Sequence, residues 1–351
     1  MTVKLISLAA LGATGCLAFQ HLRSRSWLNL RGKVVLVTGG SRGLGLATAR
    51  EFGSRGAVVA ICARNKEQLD RASEDLRARG IQAHSFVCDI TDGEQVRALI
   101  TAATELLGPI DILVNNAGVI KVGPFLEMEI DDFEQAMNVM FWGMLNATLA
   151  VLPSMRSRRK GSIVNITSIG GKVTVPHLLP YCCAKFAAMA LSEGLGIELA
   201  RAGIRVTTIV PALLRTGSHL NAEFKGNQSA EYGWFAAGAA SPAVSISAER
   251  AARSIVRVTI RGQREKILSV PAEVLARLHG SAPGLTRVIL DVAHSLLPES
   301  ETGHHYSRPG RQLEAEFTST FWRVMTRLGQ NAAISLNQIL SGESPEPAQL
   351  I

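Results

Sequence analysis

Val34-Val35-Leu36-Val37-Thr38-Gly39-Gly40-Ser41-Arg42-Gly43-Leu44-Gly45 decides the fold of this chain. The aliphatic run Val34 to Val37 reads as a buried strand. Glycines at 39, 40, 43 and 45 follow it, and the pattern then predicts a helix from Gly43 to Arg55. Glycine lets a backbone approach a phosphate closely. The free N–H groups and dipole of a helix start favour the phosphate's charge. A strand, a glycine loop and a helix start in that order read as a nucleotide cradle.

The same rhythm continues outward. Ala57 to Cys62 reads as a second strand, and Lys66 to Arg79 as a charged amphipathic helix ended by Gly80. Ala83 to Val87, Ile110 to Val114, Ser162 to Ile166 and Arg205 to Val210 continue the strand series, and Lys266 to Val270 reads as its last member. Continuous apolar strands separated by helices imply an α/β protein. Its doubly wound parallel sheet carries helices on both faces and takes ligands at the carboxyl ends of its strands.

Composition agrees with that class. The 351 residues include 32 glycines and only 5% aromatics, the profile of an α/β chain rather than a disordered one. The formal charge of +8 suits anionic cofactors or an anionic membrane surface. Nucleic acid is not the expected partner, because no zinc-finger spacing, RNP-type aromatic motif or basic zipper helix is present. Five cysteines, with no C-x-x-C, point to reduced thiols rather than a disulfide framework. The histidines form no metal constellation, and none is expected.

The termini differ from the middle. Leu5 to Phe19 is uncharged and mostly apolar, and Arg23, Arg25, Arg31 and Lys33 follow it. Residues 1–27 are therefore expected to be a leader that anchors the chain to a membrane. Positive charge after the run places the catalytic part on the cytoplasmic side; a soluble cytoplasmic protein is the alternative. Residues 28–271 form the expected catalytic domain. Within it Leu213 to Ala243, rich in Gly, Ala, Ser and Asn, reads as a long loop or lid. Ser247 then reads as the N-cap of a helix reaching Arg261. Residues 272–340 read as a helical extension, with Leu285, Val288, Ile289, Val292, Leu296 and Leu297 at helical spacing, and Phe317, Phe321, Val324, Met325 and Leu328 likewise. Those helices are expected to pack on the domain or across a dimer. Residues 341–351 read as a disordered tail.

Three further patterns carry chemistry. Cys62-Ala63-Arg64-Asn65 ends the second strand without the acidic residue that would hold a ribose 2′-hydroxyl. Arg64 and Arg42 instead suit a 2′-phosphate, since guanidinium presents a planar fork of donors. Cys88-Asp89-Ile90 ends the third strand, where Asp89 can meet an adenine edge, and Asn115-Asn116-Ala117-Gly118 ends the fourth. Ser168 ends the strand containing Ile163 to Ile166, and Tyr181-Cys182-Cys183-Ala184-Lys185 follows. A tyrosine four residues before a lysine shares its helix face, and a neighbouring ammonium lowers a phenol's pKa. Ser168 can polarise a carbonyl that Tyr181 then protonates. The vicinal pair Cys182-Cys183 is read as helix packing rather than a redox centre.

With these motifs in order, the chain resembles the short-chain dehydrogenase/reductase family over roughly Gly32 to Val270. The resemblance rests on T-G-x-x-x-G-x-G at Thr38 to Gly45, the acidic Asp89, N-N-A-G at Asn115 to Gly118, Ser168, and Y-x-x-x-K at Tyr181 and Lys185. It implies a Rossmann fold, hydride transfer at a carbonyl or alcohol carbon, and homo-oligomers. Ser168, Tyr181 and Lys185 are then the catalytic residues. Gly39, Ser41, Arg42, Gly43, Leu44, Gly45, Arg64, Asp89, Ile90, Asn115, Ala117, Gly118, Tyr181, Lys185, Pro211 and Thr216 are the cofactor contacts, with NADP(H) the expected cofactor. Two departures stand out. Met140 takes the place, three residues before Gly143, where many members have an asparagine in a proton relay; Asn138 would serve only if the helix were irregular. Pro211-Ala212 replaces the usual Pro-Gly. The apolar ends and the long loop suggest a lipophilic carbonyl or alcohol substrate. The rival reading is a weakly catalytic NADP-binding sensor or scaffold.

Overall fold

The computed structural model describes residues 28–242, 244–300 and 306–339. β1 (Val34–Thr38) passes through the glycine loop into α1 (Gly43–Gly53). β2 (Val58–Ala63), α2 (Lys66–Ala78), β3 (Ala83–Val87), α3 (Gly93–Leu107) and β4 (Ile112–Asn115) follow. After a short β5 (Lys121–Val122), α4 (Ile130–Met137) runs through a π-helical turn at Asn138–Trp142 into α5 (Gly143–Ser157). Next come β6 (Gly161–Ile166), α6 (Leu179–Glu198), β7 (Ile204–Val210), β8 (Leu213–Arg215), β9 (Glu223–Phe224), α7 (Gln228–Ala240), β10 (Ser245–Ser247), α8 (Ala248–Arg261) and β11 (Glu265–Ile267). The C-terminal part comprises α9 (Val270–Ser281), α10 (Pro283–His294), β12 (Arg308–Pro309), α11 (Gly310–Glu314) and α12 (Thr320–Ser335).

Seven strands form one sheet in the order β11-β7-β6-β4-β1-β2-β3, and every adjacent pair is parallel. Alternation along β1 feeds two cores. Val35 and Val37 join Leu46, Phe52, Ile255 and Val256 on one face. Val34 and Leu36 join Val96, Leu99, Val151 and Met155 on the other. Each such side chain contributes roughly 1.5–3 kcal/mol on full burial. Strand order reverses between β1 and β4, so Thr38 and Asn115 end side by side at the crevice where open α/β sheets bind ligands.

Several expectations are corrected in detail. The stretch Leu213 to Ala243 is no open loop, for it contains β8, β9 and the thirteen-residue α7. Asn227 caps that helix by accepting the N–H of Ala230. Tyr232, Phe235, Ala236, Ala239 and Ala240 are buried in it, so its small residues allow close packing rather than a lid. The last strand ends at Ile267, because Ser269 accepts the N–H of Ala272 and starts α9 at Val270. The extension is helical, but its helices behave differently. α12 packs on α7. α10 leaves Leu285, Val288, Ile289 and Val292 exposed, buries Thr286, and meets the domain where the His294 ring stands 5.3 Å from that of His177.

A third core joins the extension to the catalytic part through Val122, Leu178, Phe224, Tyr232, Phe235, Leu313 and Trp322. Among the described residues, one helical stretch, Ile130–Ser157, is long and apolar enough to cross a membrane. Its Ala147, Val151 and Met155 belong to the sheet's own core. The expected leader at 1–27 and tail at 341–351 lie outside the described residues.

Candidate active site

The glycine loop is shaped by its neighbours. Gly39 and Gly43 have φ of 62° and 56°, which favours glycine. A side chain at Gly45 would meet the Gly39 carbonyl oxygen at 2.2 Å. The Thr38 hydroxyl accepts the N–H groups of Asn116 (3.0 Å) and Ala117 (3.2 Å). The Asn116 amide donates back to the Thr38 and Gly39 carbonyls. The two loops expected to hold the cofactor are therefore tied to each other.

The expected contacts divide into groove residues and supports. Asn115 is a support. Its amide N–H donates to Thr148 Oγ1 (3.2 Å) and Asn165 Oδ1 (2.9 Å). Asn165 donates to Ser192, which pairs with Thr208. Ile90 is buried against Gly143, and its carbonyl accepts the Asn146 amide. Gly118 faces the sulfur of Met140, leaving room for no more than a methyl group. Leu44 and Ser41 are buried and Ala117 partly so. Pro211 accepts the N–H of Ile169 (2.7 Å), fixing the loop that carries Ser168.

Positive charge gathers at the outer end of the crevice. Arg64 is largely exposed, 4.0 Å from Asp89 Oδ2, whose Oδ1 is occupied by the N–H and hydroxyl of Thr91. Burial, and then the nearby guanidiniums of Arg311 and Arg64, push the Arg42 pKa down. Segment 335–338 of the extension forms the rim. Leu336 O accepts the Gly43 N–H (2.9 Å), Asn337 donates to Ser41 O (2.8 Å), and Gln338 donates to Thr216 O (3.1 Å). Phosphate fits the guanidiniums and the start of α1, which favour an anion, while the Gly43 N–H itself is taken by Leu336 O.

Ser168, Tyr181 and Lys185 come together as the spacing predicts. Ser168 stands at the end of β6, and its Oγ accepts the N–H of Gly170 (3.1 Å). Its hydroxyl is close enough to the Tyr181 phenol to favour the phenolate. Lys185, one α6 turn further, is buried, donates to Ile166 O (2.9 Å) and lies 5.6 Å from the Tyr181 ring centroid.

The expected depression of the tyrosine pKa is overturned. Desolvation pushes the Tyr181 phenol up to about 12, and the Ser168 hydrogen bond only partly opposes it. Burial also brings Lys185 down to about 8. Withdrawing either charged form from water outweighs the pull between them. At neutral pH Tyr181 is a protonated donor. Of the vicinal cysteines, Cys182 is buried and burial raises its thiol to about 11, where little thiolate exists, while Cys183 is exposed.

The helix irregularity that would recruit Asn138 exists, but it works the other way. The π turn leaves Asn138 exposed and turns Met140 into a pocket with Ala136 and Ala184, against Tyr181. Sequence reasoning missed Asn221, Arg311 and Gln338. Asn221 lay in the supposed loop and the others in a tail without motifs, so no signal marked them.

A short chain dehydrogenase family model matches residues 33–225. A dehydrogenase/reductase SDR family protein 7-like from Anopheles gambiae is 35% identical, covering 70% of this chain and 77% of its own. A putative ketoacyl reductase of granaticin synthesis from Streptomyces violaceoruber is 38% identical over 52% of this chain and 68% of its own. Among solved structures, a gluconate 5-dehydrogenase from Burkholderia cenocepacia with NADP and tartrate matches at TM-score 0.61 and 28% identity, covering 70% of this chain and 98% of that one. A relative of the fold from Burkholderia phymatum, bound to NAD, matches at TM-score 0.68 and 24% identity, covering 74% and 96%.

Proposed function

The chain belongs to the short-chain dehydrogenase family, and from that premise we propose that it is an NADP(H)-dependent reductase of a lipophilic carbonyl compound. The observation that carries the reading is the meeting of Ser168 at the end of β6 with Tyr181 and Lys185 on one face of α6, Lys185 being buried, bonded to Ile166 O and 5.6 Å from the Tyr181 ring centroid. NADP(H), when bound, supplies or accepts the hydride. Ser168 donates a hydrogen bond to the substrate oxygen and holds it against Tyr181. Tyr181 then gives its proton to that oxygen as negative charge develops there. A phenol protonated at neutral pH is the acid that reduction needs.

Preference for the phosphorylated cofactor rests on Arg42 and Arg64 beside the glycine loop, with no acidic residue in the segment 62–65 that ends β2. The lipophilic class rests on the wall beside Tyr181. Val175, Leu178, Tyr232, Trp234 and Phe317 pack in the cluster against which the catalytic ring lies.

Tyr181→Phe tests the reading. Turnover of NADPH with a panel of apolar ketones should fall at least ~100-fold, the usual worth of a placed acid. NADPH affinity, measured by fluorescence titration, should stay within a factor of about two. Retained turnover would remove Tyr181 from the mechanism.

A further inference from the structure

The outer end of the crevice contains a cation that belongs to none of the family motifs. Arg311 lies on α11, beyond residue 225 where the family match ends. Its Nη2 donates to Asn221 Oδ1 at 2.6 Å, and Nη1 of Arg42 donates to the same oxygen, also at 2.6 Å. Two guanidinium nitrogens thus stand within two hydrogen-bond lengths of each other, held by one neutral oxygen. Among the described residues neither pairs with a carboxylate, and Arg64 is near enough to act on Arg42.

This arrangement is built, not a chance meeting of surface side chains. Asn221 Nδ2 donates to Gln338 Oε1 (2.7 Å), which fixes the amide so that its oxygen faces the arginines. The backbone beside Arg311 is bolted to the same loop. Gly310 N donates to Ala222 O (2.8 Å), and β12 pairs with β9 at Arg308 and Pro309. A side chain at Gly310 would strike the His219 carbonyl oxygen at 2.0 Å, so the approach of α11 is fixed within a few tenths of an ångström. Guanidiniums gathered without a carboxylate repel one another and are stabilised when an anion lies between them.

We propose that Arg311 is a cofactor-binding residue, placed by Asn221 beside Arg42 to hold the diphosphate of the dinucleotide. The assignment to the diphosphate follows from position. Arg64 stands on the β2 side of Arg42, where the 2′-phosphate is expected. Arg311, on α11, is instead held by Asn221, which lies on the turn that follows Thr216, the residue expected at the nicotinamide end. The C-terminal extension is therefore part of the nucleotide site. The proposal rests on this chain binding a nicotinamide dinucleotide, but not on which of the two forms it prefers.

Titrations on the full chain test it, with NADPH, NADH and 2′-AMP as probes. Arg311→Gln should weaken NADPH and NADH alike, by about tenfold, the worth of one charge-assisted hydrogen bond. It should leave 2′-AMP, which has no diphosphate, unchanged. Arg311→Lys should recover most of the loss, and the melting temperature of both variants should match the parent. Arg64→Gln should weaken only NADPH and 2′-AMP. If Arg311→Gln leaves both dinucleotides unchanged, or weakens only those probes with a 2′-phosphate, the proposal is overturned. A parent that prefers NADH would sink the NADP reading and leave the role of Arg311 standing.

Discussion

In the proposed mechanism, Lys185 serves the reaction at the fold's expense. Its ammonium is buried and donates to the Ile166 carbonyl, and burial brings its pKa from 10.5 to about 8. The folded state therefore binds a proton less readily than the unfolded chain. Below pH 8 both states are charged and folding carries the full desolvation cost. Between pH 8 and 10.5 only the unfolded chain remains charged, and stability rises with pH. Lys185→Met should then raise the urea-unfolding free energy at pH 7 by on the order of 1–3 kcal/mol. The gain should shrink above pH 8, while turnover falls at least ~100-fold. A destabilised variant would show that the hydrogen bond to Ile166 outweighs the buried charge. The residue identities at this site were legible, because Ser168, Tyr181 and Lys185 are set by strand end and helix spacing. The sign of the tyrosine shift was not. It depends on how much water the fold removes, and no spacing encodes that.

At the scale of elements, the π turn between α4 and α5 decides which residue faces Tyr181. One extra residue in a helical turn rotates everything after it, and such turns gather at functional sites. Here the rotation buries the thioether of Met140 to 1% exposure and leaves Asn138 outside. The replacement of asparagine by methionine was plain in the sequence, but its consequence needed the turn. Met140→Asn should place an amide among Ala136, Ala184 and Tyr181 with little to bond, costing about 1–3 kcal/mol by urea unfolding. Asn138→Ala should leave turnover within about twofold. A large loss in the second variant would return Asn138 to the proton path. α7 makes the complementary point. Its alanines and glycines look like loop in sequence, because a helix buried nearly all round has no polar face to reveal its period.

For the whole molecule, the parallel sheet was legible from strand and helix alternation, and packing of the extension on the domain was expected, whereas the residues that make the joint were not legible. Its contacts with the sheet domain run through scattered side chains and a two-residue strand pairing drawn from distant segments, and such pairings leave no periodic trace. His219 sits at that joint. Its Cε1 lies 3.1 Å from where a side chain at Gly329 would begin, its carbonyl seats Gly310, and its ring stands 6.0 Å from that of Tyr232. Nε2 is buried without a hydrogen-bond partner, and desolvation brings the imidazole from 6.5 to about 4. The unfolded chain takes up this proton first, so stability is full above pH 6.5, falls as pH drops toward 4, and levels off below. The slope contributed is about 1.4 kcal/mol per pH unit at most. The carboxylates held low, Asp75, Asp132 and Glu316, lose their contribution only as pH falls through and below the ordinary carboxylate range, so the window from 6.5 to 5 belongs mainly to the histidine. Urea midpoints measured at pH 7, 6 and 5 should fall steadily in the parent and much less in His219→Gln. Equal slopes in the two proteins would remove His219 as the group that couples acid to the seating of the extension.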